Sequence, residues 1–188
     1  MKETTKAPAA SASKTASRAP TAEHRRERMA QSFADIVGVL MRDPGFRNLR
    51  LADLEWLVLP PILSGQWRIA RGAATSAVAA PDASGAPTKG SLIIPVATAL
   101  WASVSPAIDK RLREKLDKPL MLRPNEWVSG KHLWLIAVGG DRRYVPKFVK
   151  SLSEMDFKDK DIKMRVNGPD GSVTVSSLND VVEKMAAS

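Results

Sequence analysis

Glu126-Trp127-Val128-Ser129-Gly130-Lys131-His132-Leu133-Trp134-Leu135-Ile136-Ala137-Val138-Gly139-Gly140 is the stretch whose reading decides the fold. From His132 to Val138 it is a short apolar run, which predicts a buried strand. Gly139-Gly140 then punctuates the chain, and Val145, Phe148, Val149 and Leu152 recur at helical spacing over about residues 142–153. Upstream, Ser91 to Val104 is apolar and β-branched, predicting a second buried strand. Between the two strands, Ile108, Leu112 and Leu116 mark an amphipathic helix over Pro106 to Leu116, with proline in its first turn.

The flanks extend the same pattern. Gln66 to Arg71 alternates, with Trp67 and Ile69 on one face, as a strand does. Residues 72–90 are mostly Ala, Ser, Gly and Pro and predict a flexible hairpin insert. Ile162, Met164 and Val166 alternate, and so do Val173 and Val175, around Gly168-Pro169-Asp170-Gly171, which predicts a hairpin. Leu178 to Ala187 reads as a closing helix. Near the start, Phe33, Ile36, Val37, Leu40 and Met41 predict a helix over Met29 to Met41, ended by Asp43-Pro44-Gly45. A second apolar stretch, Leu51 to Leu63, carries Asp53 near its start and is broken by Pro60-Pro61. The expected class is α+β: a mixed, mostly antiparallel sheet flanked by helices, without internal repeats.

The 188 residues are one domain's worth of chain. Residues 1–28 are rich in Ala, Ser, Thr, Lys and Pro and read as a disordered basic tail, leaving 29–188 as the domain. The absence of cysteine excludes disulfides, thiolate zinc sites and a thiol nucleophile. No apolar run is long enough to span a bilayer, and no apolar segment near the start suggests a secretory signal. The formal charge of +9 suits acidic partners: a carrier protein, anionic lipid at a peripheral contact, or nucleic acid. Nucleic acid is the weakest of these, because no recognised module accompanies the charge.

Four segments in order resemble the toxin-activating lysine acyltransferases. They are Leu51 to Ile62 continuing through Gly65-Gln66-Trp67-Arg68-Ile69; Ile94-Pro95-Val96 to Ser105; the Trp127-x-Ser129-Gly130-x-x-x-Trp134 run; and Met164 to Gly171. The resemblance implies a fold similar to the GNAT acetyltransferases. It further implies a cytoplasmic, often dimeric enzyme that moves a fatty acyl chain from the phosphopantetheine of acyl carrier protein to lysines of a repeat toxin.

That family places a histidine in a Ser-Pro-x-His segment after its first helix and an acidic residue after its Trp-containing strand. The matching positions here are Phe46, in Asp43-Pro44-Gly45-Phe46, and Ala137. Neither side chain moves a proton. Two readings follow: an active site rebuilt from other residues, or a fold kept as a binding or structural subunit with a stoichiometric protein partner. Candidate substitute bases are His132, on the relevant strand, and His24, with Asp53, Glu55, Glu126 and Asp141 more suited to caps and surface charge. On the donor side, Gly139, Gly140, Arg142 and Arg143 read as a glycine turn before a helix, a place where backbone N–H groups hold a phosphate. Lys110, Arg111, Arg113 and Lys115, with Lys147 and Lys150, offer a basic face to an acidic carrier. Trp56, Trp67, Trp101, Trp127 and Trp134 are expected mostly in the core.

Overall fold

The computed structural model describes residues 21–75, 91–168 and 170–187. Among them, helix α1 (Ala22–Arg42) leads into α2 (Asp53–Leu57), α3 (Leu59–Ser64), strands β1 (Trp67–Thr75) and β2 (Ser91–Val104), then α4 (Pro106–Glu114), β3 (His132–Gly140), α5 (Val145–Ser151), β4 (Ile162–Asn167), β5 (Val173–Ser177) and α6 (Leu178–Ala186). One sheet holds all five strands in the order β1-β2-β3-β4-β5. Every pairing is antiparallel except β3 with β4, which is parallel. A parallel pair needs a crossover, and α5 with the π turn Leu152–Asp156 supplies it. The α+β class with a mostly antiparallel sheet stands as expected.

Several boundaries differ from the sequence reading. Helix α1 begins at Ala22, not Met29, because Thr21 caps it by accepting from the His24 N–H, and His24 to Arg28 form its first turns. The expected tail therefore gives way to helix at residue 22, and residues 1–20 lie outside the described residues. Residues 72–75 of the expected insert are strand, paired with Ser91 to Ile94; residues 76–90 lie outside the described residues. Pro60-Pro61 does not break a helix. It sits in the first turn of α3, where a missing N–H costs nothing, and α3 ends at Gly65 in the left-handed conformation (φ 72°).

Two apolar clusters sandwich the sheet. One joins Ile36 and Leu40 of α1, Leu57, Val58 and Ile62 of α2–α3, and Leu100, Trp127, Trp134 and Ala137. The other, on the opposite face, joins Ala99, Leu135, Val149, Leu152, Phe157, Ile162 and Leu178. A bulge in β3 decides which face carries Ala137. Leu100 pairs with Ala137 but Trp101 pairs with Leu135, so Ile136 is the extra residue. Without it, Ala137 would alternate with Leu135 on the α5 face; with it, Ile136 and Ala137 join Trp134 on the α1 face.

The Trp127–Trp134 segment is held by packing. A Cβ on Gly130 would lie 2.4 Å from the Val104 carbonyl oxygen, so the turn admits only glycine. Ser129 Oγ donates to the Glu126 carbonyl at 2.8 Å and accepts from the Ser105 N–H at 3.0 Å. Trp127 and Trp134 are fully buried, whereas Trp56, Trp67 and Trp101 are partly exposed. Trp134 Nε1 donates to Asp109 at 2.9 Å, and the same carboxylate, itself buried, accepts from Lys163 at 2.9 Å and Arg113 at 3.0 Å. Burial pushes this carboxyl up, but the bonds from Lys163 and Trp134 and the charges of Lys163 and Arg113 outweigh it. The net shift is below the usual aspartate value.

Candidate active site

The loop after α1 and the end of β3 form one corner. Asp43 holds it together: Oδ1 accepts from the Gly45 N–H at 2.7 Å, and Oδ2 from the Gly140 N–H at 2.8 Å, almost a hundred residues away in sequence. This turn sets Phe46 against Gly139, where an added Cβ would meet the ring at 3.1 Å and the Asp43 carboxylate at 3.2 Å. Because of the β3 bulge, Ala137 and Gly139 share the α1 face, and Ala137 is packed in the cluster that Phe46 borders. Phe46 and Ala137 thus lie on one side of the sheet. Two cavities flank the corner. One of 200 Å³ is lined by Val37, Leu40, Phe46, Leu49 and Leu54 with Arg47 and Arg50 beside them. Another of 230 Å³ lies between Val39, Arg42, Pro95, Val96, Gly140 and Asp141.

Beyond Leu135, β3 is open on its β4 side. The parallel ladder has three pairs, Leu133 with Ile162, Trp134 with Lys163 and Leu135 with Met164, and then stops. Residues 136–140 keep only β2 as a ladder partner among the described residues.

The two candidate histidines do not reach this corner, and the candidate carboxylates are exposed or engaged by other partners. His24 sits in the first turn of α1, against Thr21 at 2.5 Å, and the eighteen residues to Arg42 span about 27 Å of helix. His132 is exposed at the opposite end of β3, opposite Val104, about 23 Å along the strand from Gly139. Asp53 is engaged by the Arg50 N–H at 2.8 Å and by Trp56 Nε1 at 3.2 Å, which together hold its carboxyl below the usual value. Glu55 is exposed. Glu126 makes a two-toothed pair with Arg111 (2.8 and 2.7 Å) and accepts from the Arg123 N–H; the Arg111 bonds lead in lowering its pKa, against burial. Asp141 is clasped by Arg143 and held down to about 2.

The glycine pair stands differently from the turn that its sequence suggests. Gly139 and Gly140 are not a turn before a helix; they are the last residues of β3, paired with Thr98 and Ala97. α5 begins at Val145, with Tyr144 as its cap and Pro146 in its first turn. Gly140 is glycine because its φ is 142° and a Cβ would lie 2.3 Å from the Val96 oxygen. Its N–H is already given to Asp43, and Arg143 to Asp141. Arg142 is exposed beside them.

The basic face is likewise divided. Arg113 turns to Asp109 and Arg111 to Glu126, while Lys110 and Lys150 lie 3.9 and 3.8 Å from Glu114 and Glu154. Sequence reasoning missed Asp43, reading it only as turn chemistry. The signal was its place at the serine of the Ser-Pro-x-His pattern, three residues before Phe46.

The β3 bulge and the Trp127–Trp134 turn fall within one stretch of the chain that is similar to a known family. Residues 91–176 match the RTX toxin acyltransferase family. The matched span is just under half of the chain and runs from β2 into β5, taking in Ala137, Gly139 and Gly140. Members of the family are acyltransferases for RTX toxins. No curated protein matches the chain. Among the described residues no helix is long and apolar enough to cross a membrane, and no cluster of His, Asp and Glu would hold a metal ion.

Proposed function

We propose that this protein is a cytoplasmic protein-lysine acyltransferase that takes a fatty acyl chain from the phosphopantetheine of acyl carrier protein, with Asp43 as the carboxylate at its reaction corner. The observation that carries the reading is the opening of the β3–β4 pair directly beside that corner. Past Leu135 the edge of β3 has no β4 partner. An extended arm with two amides, such as pantetheine, is the chemistry an unpaired strand edge accepts. The 200 Å³ cavity beside Phe46 offers apolar walls to the acyl chain.

In this reading the lysine Nζ attacks the thioester carbonyl, the C–N bond forms, and the C–S bond breaks to release the carrier's thiol. The lysine arrives as an ammonium, since its ordinary pKa is about 10.4. A carboxylate has about four acceptor positions, and the bonds from Gly45 and Gly140 use two of Asp43's. Those remaining can orient the ammonium and pass its proton to water. Phe46 and Ala137 supply apolar walls, and with no histidine to share the work the transfer is slow.

The test is intact-mass spectrometry of acylated carrier protein incubated with this protein and a lysine-bearing repeat-toxin segment. Loss of the acyl mass from the carrier with equal gain on the segment is expected, falling about 10²-fold in Asp43→Asn while the fold persists. Transfer undiminished in Asp43→Asn overturns the role given to that residue.

A second reading has its own observation: both family positions are apolar and packed against the core cluster. There the protein is a binding subunit with a stoichiometric protein partner, and native protein leaves the carrier's acyl group in place while Phe46→His with Ala137→Asp transfers it.

A further inference from the structure

A second concave surface lies on the α4 side of the molecule, away from the Phe46 corner. A cavity of 300 Å³ is lined by Trp56, Met121, Leu122 and Pro124 with Arg111, Arg123 and Glu126. Another of 200 Å³ is lined by Leu112, Pro119 and Met121 with Arg111, Lys115, Lys118 and Arg165. They share Arg111 and Met121, so they form one groove. Its floor is apolar, and Met121 is 56% exposed there, a large apolar side chain left facing water.

The charges of this groove are one-sided. Five cations line it against one carboxylate, Glu126, and that carboxylate is engaged by Arg111 and the Arg123 N–H. Arg165 is spent on the chain itself: its guanidinium donates to the carbonyls of Lys118 (2.6 Å), Leu112 (2.8 Å) and Lys115 (2.9 Å), closing the end of α4. Its Nε is left buried without an acceptor. The side chains of Lys115, Lys118 and Arg123 are exposed, and among the described residues none is joined to an acid. An arrangement of free cations around an apolar trough complements a helix that carries apolar side chains flanked by Asp and Glu. A bilayer surface is a poorer match, because a flat surface does not fill a concave one.

We propose that this groove docks an acidic amphipathic helix of a partner protein, its apolar side chains over Met121 and Trp56 and its carboxylates on Lys115, Lys118 and Arg123. Resting on the acyltransferase reading, that helix belongs to the acyl carrier protein. The groove replaces the basic face read from α4 and α5 together, since most of those cations are paired within the chain.

The experiment is calorimetric titration of the full chain with holo acyl carrier protein at low and high salt. It compares native protein with Lys115→Glu/Lys118→Glu/Arg123→Glu and with the control Lys147→Glu/Lys150→Glu. All five positions are exposed, and circular dichroism with a melting curve checks the fold. The expected result is salt-sensitive binding that weakens at least tenfold in the groove variant and stays within twofold of native in the control. Equal affinity in native and groove variant overturns the proposal, as does a larger loss in the control. A groove variant that loses only its binding to vesicles of anionic phospholipid also overturns it. Carrier binding through the groove without acyl transfer supports the docking surface and removes only the acyltransferase reading.

Discussion

The two ends of β3 are built on opposite principles. At its start, Trp134 is tied into a hub of polar side chains, where one buried carboxylate, Asp109, takes hydrogen bonds from Trp134, Lys163 and Arg113. At its end, Gly139 and Gly140 have no side chains, and close backbone contact and a single carboxylate do the holding: Val96 and Ala97 crowd Gly140, and Asp43 accepts its N–H. A hub of saturated polar groups fixes its members' identity, because removing one strands the others without partners. A corner held by backbone shape leaves neighbouring side chains free to change chemistry. Phe46 and Ala137, apolar at positions where the resembled family places proton-moving groups, belong to that second kind of region.

The largest effect is expected at the corner. Gly140→Ala puts a methyl 2.3 Å from the Val96 oxygen at a φ of 142°, so backbone must move. A loss of about 4 kcal/mol in urea-induced unfolding is expected, strain and overpacking together. A loss below 1 kcal/mol would show that the end of β3 yields, and the corner would not be a shape-held site at all.

Asp109→Asn addresses the other end. Trp134 keeps an acceptor, but Lys163 and Arg113 lose their counter-charge. Breaking a buried pair costs about 3–5 kcal/mol; because Arg113 is half exposed, about 3 is expected. The pH dependence carries a sign. The folded carboxyl titrates below its ordinary value, so its contribution is present above the unfolded pKa of about 3.9 and disappears as pH falls through the folded one. The gap between native and variant stabilities therefore holds from pH 6 down to about 4 and narrows as the solution is acidified further. A constant gap would mean that the hub is held by packing alone.

The same contrast explains what could be read in the sequence. The strands around Trp67, Leu100 and Trp134 announced themselves because alternation and β-branching report burial directly. The Asp43 clamp did not, because it joins residues almost a hundred apart and uses a side chain that looks like ordinary turn chemistry. The facing of Ala137 was hidden for another reason: strict alternation predicts one face, and only the unpaired Ile136 in the ladder moves Ala137 to the other. Gly139-Gly140 misled because two glycines before a helical pattern signal a turn, whereas here they let a strand end pack against a neighbouring strand and a ring. Cation counts on α4 misled similarly, since sequence cannot show that Arg113 reaches Asp109 and Arg111 reaches Glu126.

The smallest effect sharpens the comparison at the point where β3 meets solvent. Arg143 clasps Asp141 through its side-chain Nε and Nη2 and its backbone N–H, and these bonds, the side-chain ones foremost, hold the Asp141 carboxyl at about 2. The pair stands in water, where salt screens it and ordering two side chains offsets most of the attraction. Arg143→Ala is therefore expected to leave the melting temperature unchanged while the Asp141 carboxyl rises toward its ordinary value, followed through its carboxyl carbon by NMR titration. Arg143 is also the cation that the sequence offered to a phosphate, and a cation already closed on a neighbouring carboxylate has less to give. Acyl loss from the carrier protein should thus proceed at the native rate in Arg143→Ala. A rate that falls tenfold or more would mean that the Asp141 clasp opens for the donor, and the end of β3 would then depend on side-chain charge as much as its start does.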